Sequence, residues 1–161
     1  MLDKNIDCLE IGDITTDAFI RLKEASVHCR VDTDNCELCM KFGDKIPFEY
    51  VKIIKGVGNS ANAAVAVSRL GIRSGLMTNV GDDQNGKDCL AKLVEEKVDV
   101  RYAKVNKGKP TNYHFVLWYE SDRTILINHT DYEYRLPTIK KNPKWIYLSS
   151  LGSNSKEFHM E

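Results

Sequence analysis

The chain has 161 residues, enough for one domain with a real core and too few for two ordinary ones. Lys plus Arg and Asp plus Glu number 23 each, so there is no basic field to hold nucleic acid or an anionic membrane, and no acidic tail. No apolar run approaches the roughly 18 residues of a membrane span, and the opening MLDKNIDCLEIGD lacks a signal-peptide core, so a cytoplasmic protein acting on small molecules or proteins is expected.

Ile6 to Ile11 read as a short strand ending abruptly at Gly12-Asp13, with Asp17 following after Ile14-Thr15-Thr16. Carboxylates at the C-terminal edge of a strand face the crevice where open α/β sheets bind ligands. Asp13 is read as a turn-former. Asp17 falls between that turn and the apolar Ala18-Phe19-Ile20, which would aim it from the sheet edge into open space and makes it a ligand candidate.

From Phe19 to Lys55 short alternating β runs are separated by polar turns such as Asp32-Thr33-Asp34-Asn35. They predict a small antiparallel sheet wet on one face, better suited to be a flap than a domain. His28-Cys29 and Cys36-x-x-Cys39 invite a zinc reading. Residues three apart on an extended strand face opposite sides, and there is no second Cys-x-x-Cys, so strand thiols and no metal are expected from Cys29, Cys36 and Cys39. The five cysteines are an odd number, and two fall inside apolar or amphipathic elements, which suits reduced thiols better than a disulfide framework.

Tyr50 to Gly71 combine a β run, a glycine turn and a helix of small residues. Gly56 and Gly58 would let a ligand approach the main chain, and Ser60 is predicted to cap the helix. Ala61, Ala63, Ala64, Ala66, Val67 and Leu70 let the helix lie close against a sheet, with its first-turn N–H groups facing the crevice. Asn59 and Asn62 add side-chain amides there. Asn62 stands where an apolar residue would have served packing, so it is either a ligand contact or a helix-start amide that caps or meets water.

Arg73 to Gly81 form another strand, so strand, helix and strand are read as a parallel crossover. Gly86 to Lys97 place Cys89, Leu90, Leu93 and Val94 at helical spacing. Thr111 to Glu120 and Thr124 to Asn128 predict a hairpin, the most buried β pair of the chain, with His114 and His129 as structural residues and Trp118 and the tyrosines as packing. A further strand spans Trp145 to Ser150. Asn154 to Glu161 read as the start of a helix, as if the fold were interrupted.

The order of these motifs resembles the N-terminal half of ribokinase-like (PfkB-type) carbohydrate and nucleoside kinases. The carriers are Gly12-Asp13-x-x-x-Asp17, Gly58-x-x-x-Asn62-x-Ala64 running into Arg69-Leu70-Gly71, Val80-Gly81-Asp82-Asp83-x-x-Gly86, Pro110-Thr111, Arg123-Thr124-Ile125 and Trp145-Ile146-Tyr147-Leu148-Ser149. The resemblance implies an α/β fold of the ribokinase-like, three-layer αβα (Rossmann-like) kind with a small β-sheet lid over residues 18–56, here truncated, the whole chain being one N-terminal portion of a kinase domain. It implies a sugar or nucleoside substrate, phosphorylated on a hydroxymethyl group, with Asp17, Gly58, Asn59 and Asn62 as binding residues. It further implies ATP and Mg2+ in a full-length member, none bound by these residues alone, and a homodimer through the lid. The family's Gly-Ala-Gly-Asp motif, which carries the catalytic base and anion hole, is absent from the sequence, so these residues alone are expected to be inactive.

Two other readings stay open. Gly56-Val57-Gly58-Asn59-Ser60-Ala61 fits the Gly-x-Gly-x-x-Ala dinucleotide fingerprint, with Asp82 or Asp83 as the later acid, which would make an oxidoreductase. Against it, YVKIIK carries lysines on a strand that should be buried on both faces. The third reading is a non-catalytic module that binds sugar or dimerises.

Overall fold

The computed structural model describes residues 5–29 and 36–160, so the turn at Asp32-Thr33-Asp34-Asn35 and the last residue of the C-terminal helix reading lie outside the described residues. The described chain divides into two compact units, one made of residues up to Thr16, Lys55–Tyr113 and the residues from Asn128 on, the other of Asp17–Ile54 and His114–Ile127.

The first unit is built on a parallel sheet. Its strands are β1 (Cys8–Ile11), β6 (Ser74–Gly81), β7 (Asp99–Asn106) and β10 (Trp145–Leu148), in the order β10-β1-β6-β7. Leu9 stands between Ile146 and Gly75 in register, and Ile11 between Leu148 and Met77. β6 is buried along its whole length, as an inner strand of a parallel sheet should be. The helices α1 (Asn59–Arg69) and α2 (Gln84–Glu95) cover one face, where Ala61, Ala64, Cys89 and Leu93 pack with Leu76, Val80 and Val98. Alanines on α1 leave no side-chain bulk between helix and strand, which is why it can lie so close. On the other face Leu9, Ile11 and Met77 meet Ile6, Tyr102, Ile139 and Phe158. The expected C-terminal helix is a single 3-10 turn, Phe158–Met160.

The second unit is all β. Strands β2 (Thr15–Leu22), β5 (Phe48–Val57), β8 (Tyr113–Tyr119) and β9 (Asp122–Asn128) form a sheet in the order β5-β2-β8-β9. Strands β3 (Ser26–Cys29) and β4 (Cys36–Cys39) pair separately as an antiparallel ribbon.

Three expectations are corrected here. β5 joins the sheet of the second unit rather than that of β6, so β5, α1 and β6 are not a parallel crossover; β6, α2 and β7 are. The β8–β9 hairpin is not the most buried β pair. β9 is exposed at every residue, with Ile125, Leu126 and Ile127 at 42, 51 and 67%. Its β-branched composition favours an extended backbone but does not say that anything covers it. The cysteines of the ribbon are not all free thiols: Cys29 and Cys36, directly opposed in register, are joined as a disulfide, leaving Cys8, Cys39 and Cys89 free.

Candidate substrate-binding site

β1 delivers Gly12 and Asp13 to the C-terminal edge of the parallel sheet, next to the residues that leave β10. Gly12 N–H donates to Met77 O and Asp13 N–H to Ser150 O. A Cβ at Gly12 would stand 2.3 Å from Ser149 Oγ, so only glycine fits there. The Asp13 carboxylate is buried and its Oδ2 accepts from Tyr134 OH at 2.5 Å and Gly152 N at 2.9 Å. Burial pushes this carboxyl up from its ordinary range, against the Tyr134 and Gly152 bonds and the charge of His129. Asp13 therefore does more than turn the chain: it ties the end of β1 to two distant segments.

α1 starts against this corner. Gly58 is its N-cap at φ 114, a conformation that side chains rarely adopt, and a Cβ there would lie 3.0 Å from Asp13 O. Ser60, expected to cap the helix, is instead inside it and fully buried, its hydroxyl donating to Asp13 O at 3.3 Å. No side chain of the described residues caps α1, so among them no capping oxygen claims its first-turn N–H groups. Asn59 Nδ2 donates to Ser150 Oγ at 3.0 Å. Asn62 is exposed, and its amide makes no hydrogen bond among those of the described residues.

Gly56 does not leave room for a ligand. At φ 64, with a Cβ that would sit 3.0 Å from Cys89 O, it makes room for α2, and its N–H donates to Cys89 Sγ at 3.2 Å. The Cys89 thiol, also 3.2 Å from Thr16 Oγ1, is pushed up by burial and is a packing group. The dinucleotide fingerprint fails on these grounds: its strand belongs to another sheet and its first glycine is filled by the protein.

Of the two acids offered for that fingerprint, Asp82 and Asp83, the latter is occupied. Asp83 is the N-cap of α2, its Oδ1 accepting from Gly86 N at 2.8 Å and Thr111 Oγ1 at 2.6 Å, its Oδ2 from Thr111 N at 2.9 Å. Burial alone would raise its carboxyl, but the Thr111 hydroxyl and the N–H groups of Thr111 and Gly86 outweigh it and hold the carboxyl below the ordinary range. Gly81 N donates in turn to Thr111 Oγ1 at 3.0 Å. Gly81, Asp83, Gly86 and Thr111 are thus one structural knot, which explains a glycine-acid-glycine spacing that reads in sequence like a ligand loop.

Asp17 lies on β2 in the second unit, where its Oδ1 is 3.3 Å from Nδ1 of His114 on β8. Burial pushes the Asp17 carboxyl up and His114 pulls it down. Gly58, Asn59 and Asn62 are gathered on one turn of the first unit. His114 carried no sequence signal as a partner of Asp17, because the two are far apart in the chain and meet through sheet pairing.

Among the described residues no group of three ligand-type side chains gathers for a metal ion, and Cys29 with Cys36 is spent in the disulfide. No helix of the described residues is long and apolar enough to cross a membrane.

The parallel sheet with helix-borne glycine turns at its C-terminal edge, accompanied by a β sheet unit, defines an α/β fold of the ribokinase-like kind, and solved structures agree. Ribokinase from Cryptococcus neoformans, solved in complex with ADP, superposes with a TM-score of 0.64 at 22% identity over 89% of this chain and 40% of its own. A crystal structure described as that of a ribokinase from Agrobacterium tumefaciens gives 0.61 at 23% over 78% and 37%. The model of the pfkB family carbohydrate kinases matches residues 48–161, and the chain belongs to that family. It is 36% identical over 72 residues to a 2-dehydro-3-deoxygluconokinase from Thermoproteus tenax, covering 44% of this chain and 22% of that protein. It is 26% identical over 160 residues to an ATP-dependent 6-phosphofructokinase from Thermoanaerobacterium thermosaccharolyticum, covering 92% of this chain and 41% of that one. The chain thus spans less than half the length of these curated relatives.

Proposed function

We propose that these residues form the sugar-binding part of an ATP-dependent carbohydrate kinase that phosphorylates a hydroxymethyl group. Asp17, Gly58 and Asn62 hold the sugar, with Asn59 in a lesser role because its amide already serves Ser150. Vicinal hydroxyls both give and take hydrogen bonds, so they suit a carboxylate acceptor, an amide and uncapped helix N–H groups alike. The observation that carries the reading is Asn62: an exposed amide on an alanine-rich helix start, with no hydrogen bond among the described residues, inside the segment that matches the family model.

In the whole protein ATP with Mg2+ supplies the phosphoryl group. The base and anion hole come from groups outside these 161 residues, so this chain alone binds sugar without transferring phosphate. Residues 18–56 act as a lid that excludes water from the acceptor hydroxyl in the whole protein. The lid's exposed apolar strand β5, with Tyr50, Val51 and Ile53, supports pairing with a second copy through the lid. The fold and charge fit a cytoplasmic enzyme with small-molecule partners.

A thermal-shift panel of sugars and nucleosides tests this, using the parent and an Asp17→Ala, Asn62→Ala double variant. A ligand that raises the melting point of the parent alone supports the site. One that stabilises both proteins equally binds elsewhere and rejects it.

A further inference from the structure

We infer that His114 is a positioning residue for sugar binding, holding the Asp17 carboxylate through an Nδ1–H donor so that Oδ2 is presented to ligand hydroxyls. The inference rests on the reading of Asp17 as a sugar ligand.

The geometry behind it lies within the second unit. β2 and β8 are neighbours in the sheet, which brings two residues 97 positions apart in the chain to a 3.3 Å contact between Nδ1 and Oδ1. Both side chains are largely withdrawn from solvent, at 14% for His114 and 21% for Asp17. Oδ1 is itself buried, and apart from this 3.3 Å contact it meets no hydrogen-bond donor among the described residues. A lone buried carboxylate oxygen is costly to leave without a donor, and the imidazole is the donor within reach. What exposure Asp17 retains therefore falls on its other atoms, Oδ2 among them.

A carboxylate on a strand still turns about its χ angles, and a freely turning one gives up rotamer entropy each time it binds. Fixing Oδ1 against an imidazole anchored on the next strand removes that cost before the ligand arrives. It also fixes the tautomer of His114, since a ring that donates from Nδ1 leaves Nε2 as the acceptor when neutral. A histidine present only for packing has no such preference imposed by residue 17.

Two readouts on this chain test the inference. In the first, long-range 1H–15N spectra of 15N-histidine-labelled protein resolve the four histidines. His114 is expected to carry its proton on Nδ1 in the parent and to change its ring-nitrogen signature in Asp17→Ala, while the other histidines stay fixed. An unchanged His114 signature overturns the inference.

In the second, calorimetric titration with D-fructose and with 2-dehydro-3-deoxygluconate compares the parent, His114→Ala, His114→Asn and Asp17→Ala. Loss of a hydrogen bond to a charged group corresponds to about ten- to a hundredfold in affinity, expected for His114→Ala. His114→Asn keeps an amide donor near the Nδ1 position and is expected to recover most of it. Loss in Asp17→Ala with unchanged affinity in His114→Ala refutes the positioning role alone. A parent that binds neither sugar, or an Asp17→Ala variant that binds as the parent does, refutes the sugar-site reading and the inference with it.

Discussion

Replacing Gly86 with Ala isolates the structural knot at the start of α2, because two effects of opposite sign meet at one methyl group. Gly86 is inside the helix, three residues after its N-cap, so helix propensity alone favours Ala by about 1 kcal/mol. The added Cβ, however, would stand 2.5 Å from Gly81 O, 2.7 Å from Thr111 Oγ1 and 3.3 Å from Asp83 Oδ1. The first of these is backbone and cannot swing aside. Relieving such overpacking costs about 1–3 kcal/mol, and moving Thr111 loosens a charge-assisted bond worth about 1.5–3 kcal/mol. The two losses overlap, so the net expectation is a destabilisation of about 2 kcal/mol, or a Tm lower by about 4–8 °C for a chain of this size. Thermal and urea unfolding followed by circular dichroism measure it. Ala91→Gly, at an exposed position of the same helix, calibrates propensity alone and should cost about 1 kcal/mol. If Gly86→Ala melts at or above the parent, steric exclusion is not what glycine provides there, and the reasoning fails.

Three further perturbations follow from the described contacts. Glu10 is fully buried on β1, with Oε2 accepting from Ser74 Oγ and Oε1 meeting no hydrogen-bond donor among the described residues, and burial pushes its carboxyl up. The protonated form is thus favoured in the native state, so parent stability should fall as pH rises from the unfolded-state value of about 4.3 to the raised native value; Glu10→Gln should flatten that slope in urea titrations, and an unchanged slope would show that other carboxyls cause it. Tyr134→Phe removes the hydroxyl that donates to Asp13, leaving a buried carboxylate short of a donor at a cost of about 1–3 kcal/mol, read as a lower urea midpoint. Reduction with dithiothreitol, or Cys29→Ser with Cys36→Ser, should speed proteolysis within residues 26–39, because an isolated two-stranded ribbon is marginal without its cross-link; equal cleavage with and without reductant would count against a stapled ribbon.

Much of the fold is legible in the sequence because its signals are local. The apolar run ending at Gly12, the alanines of α1 and the period of Cys89, Leu90 and Leu93 each depend on neighbours in the chain. What was hidden depends on pairing. Nothing in YVKIIK says that β5 joins β2 rather than β6, though its two lysines were already out of place for a strand buried on both faces. TILIN reads as buried because sequence reports strand preference and not cover. Ser60 reads as a cap because serine is a preferred N-cap residue just before a helical run, yet Gly58 takes that position where the Asp13 carbonyl excludes a Cβ. Of the candidate site residues, Gly58, Asn59 and Asn62 form one turn, as their spacing implied. Asp17 acquired a partner, His114, that only sheet pairing reveals.

The central claim is most directly tested at Asn62, because there stability and binding should move in opposite directions. The side chain is exposed and makes no hydrogen bond among those of the described residues, so Asn62→Ala should stabilise α1 by about 0.5 kcal/mol through helix propensity. The same variant should lose the ligand-induced rise in Tm that the parent shows with its sugar. A more stable protein that no longer responds to sugar is the result the account predicts. A variant whose response matches the parent's would contradict it, and the amide would then be a surface group of the helix and nothing more.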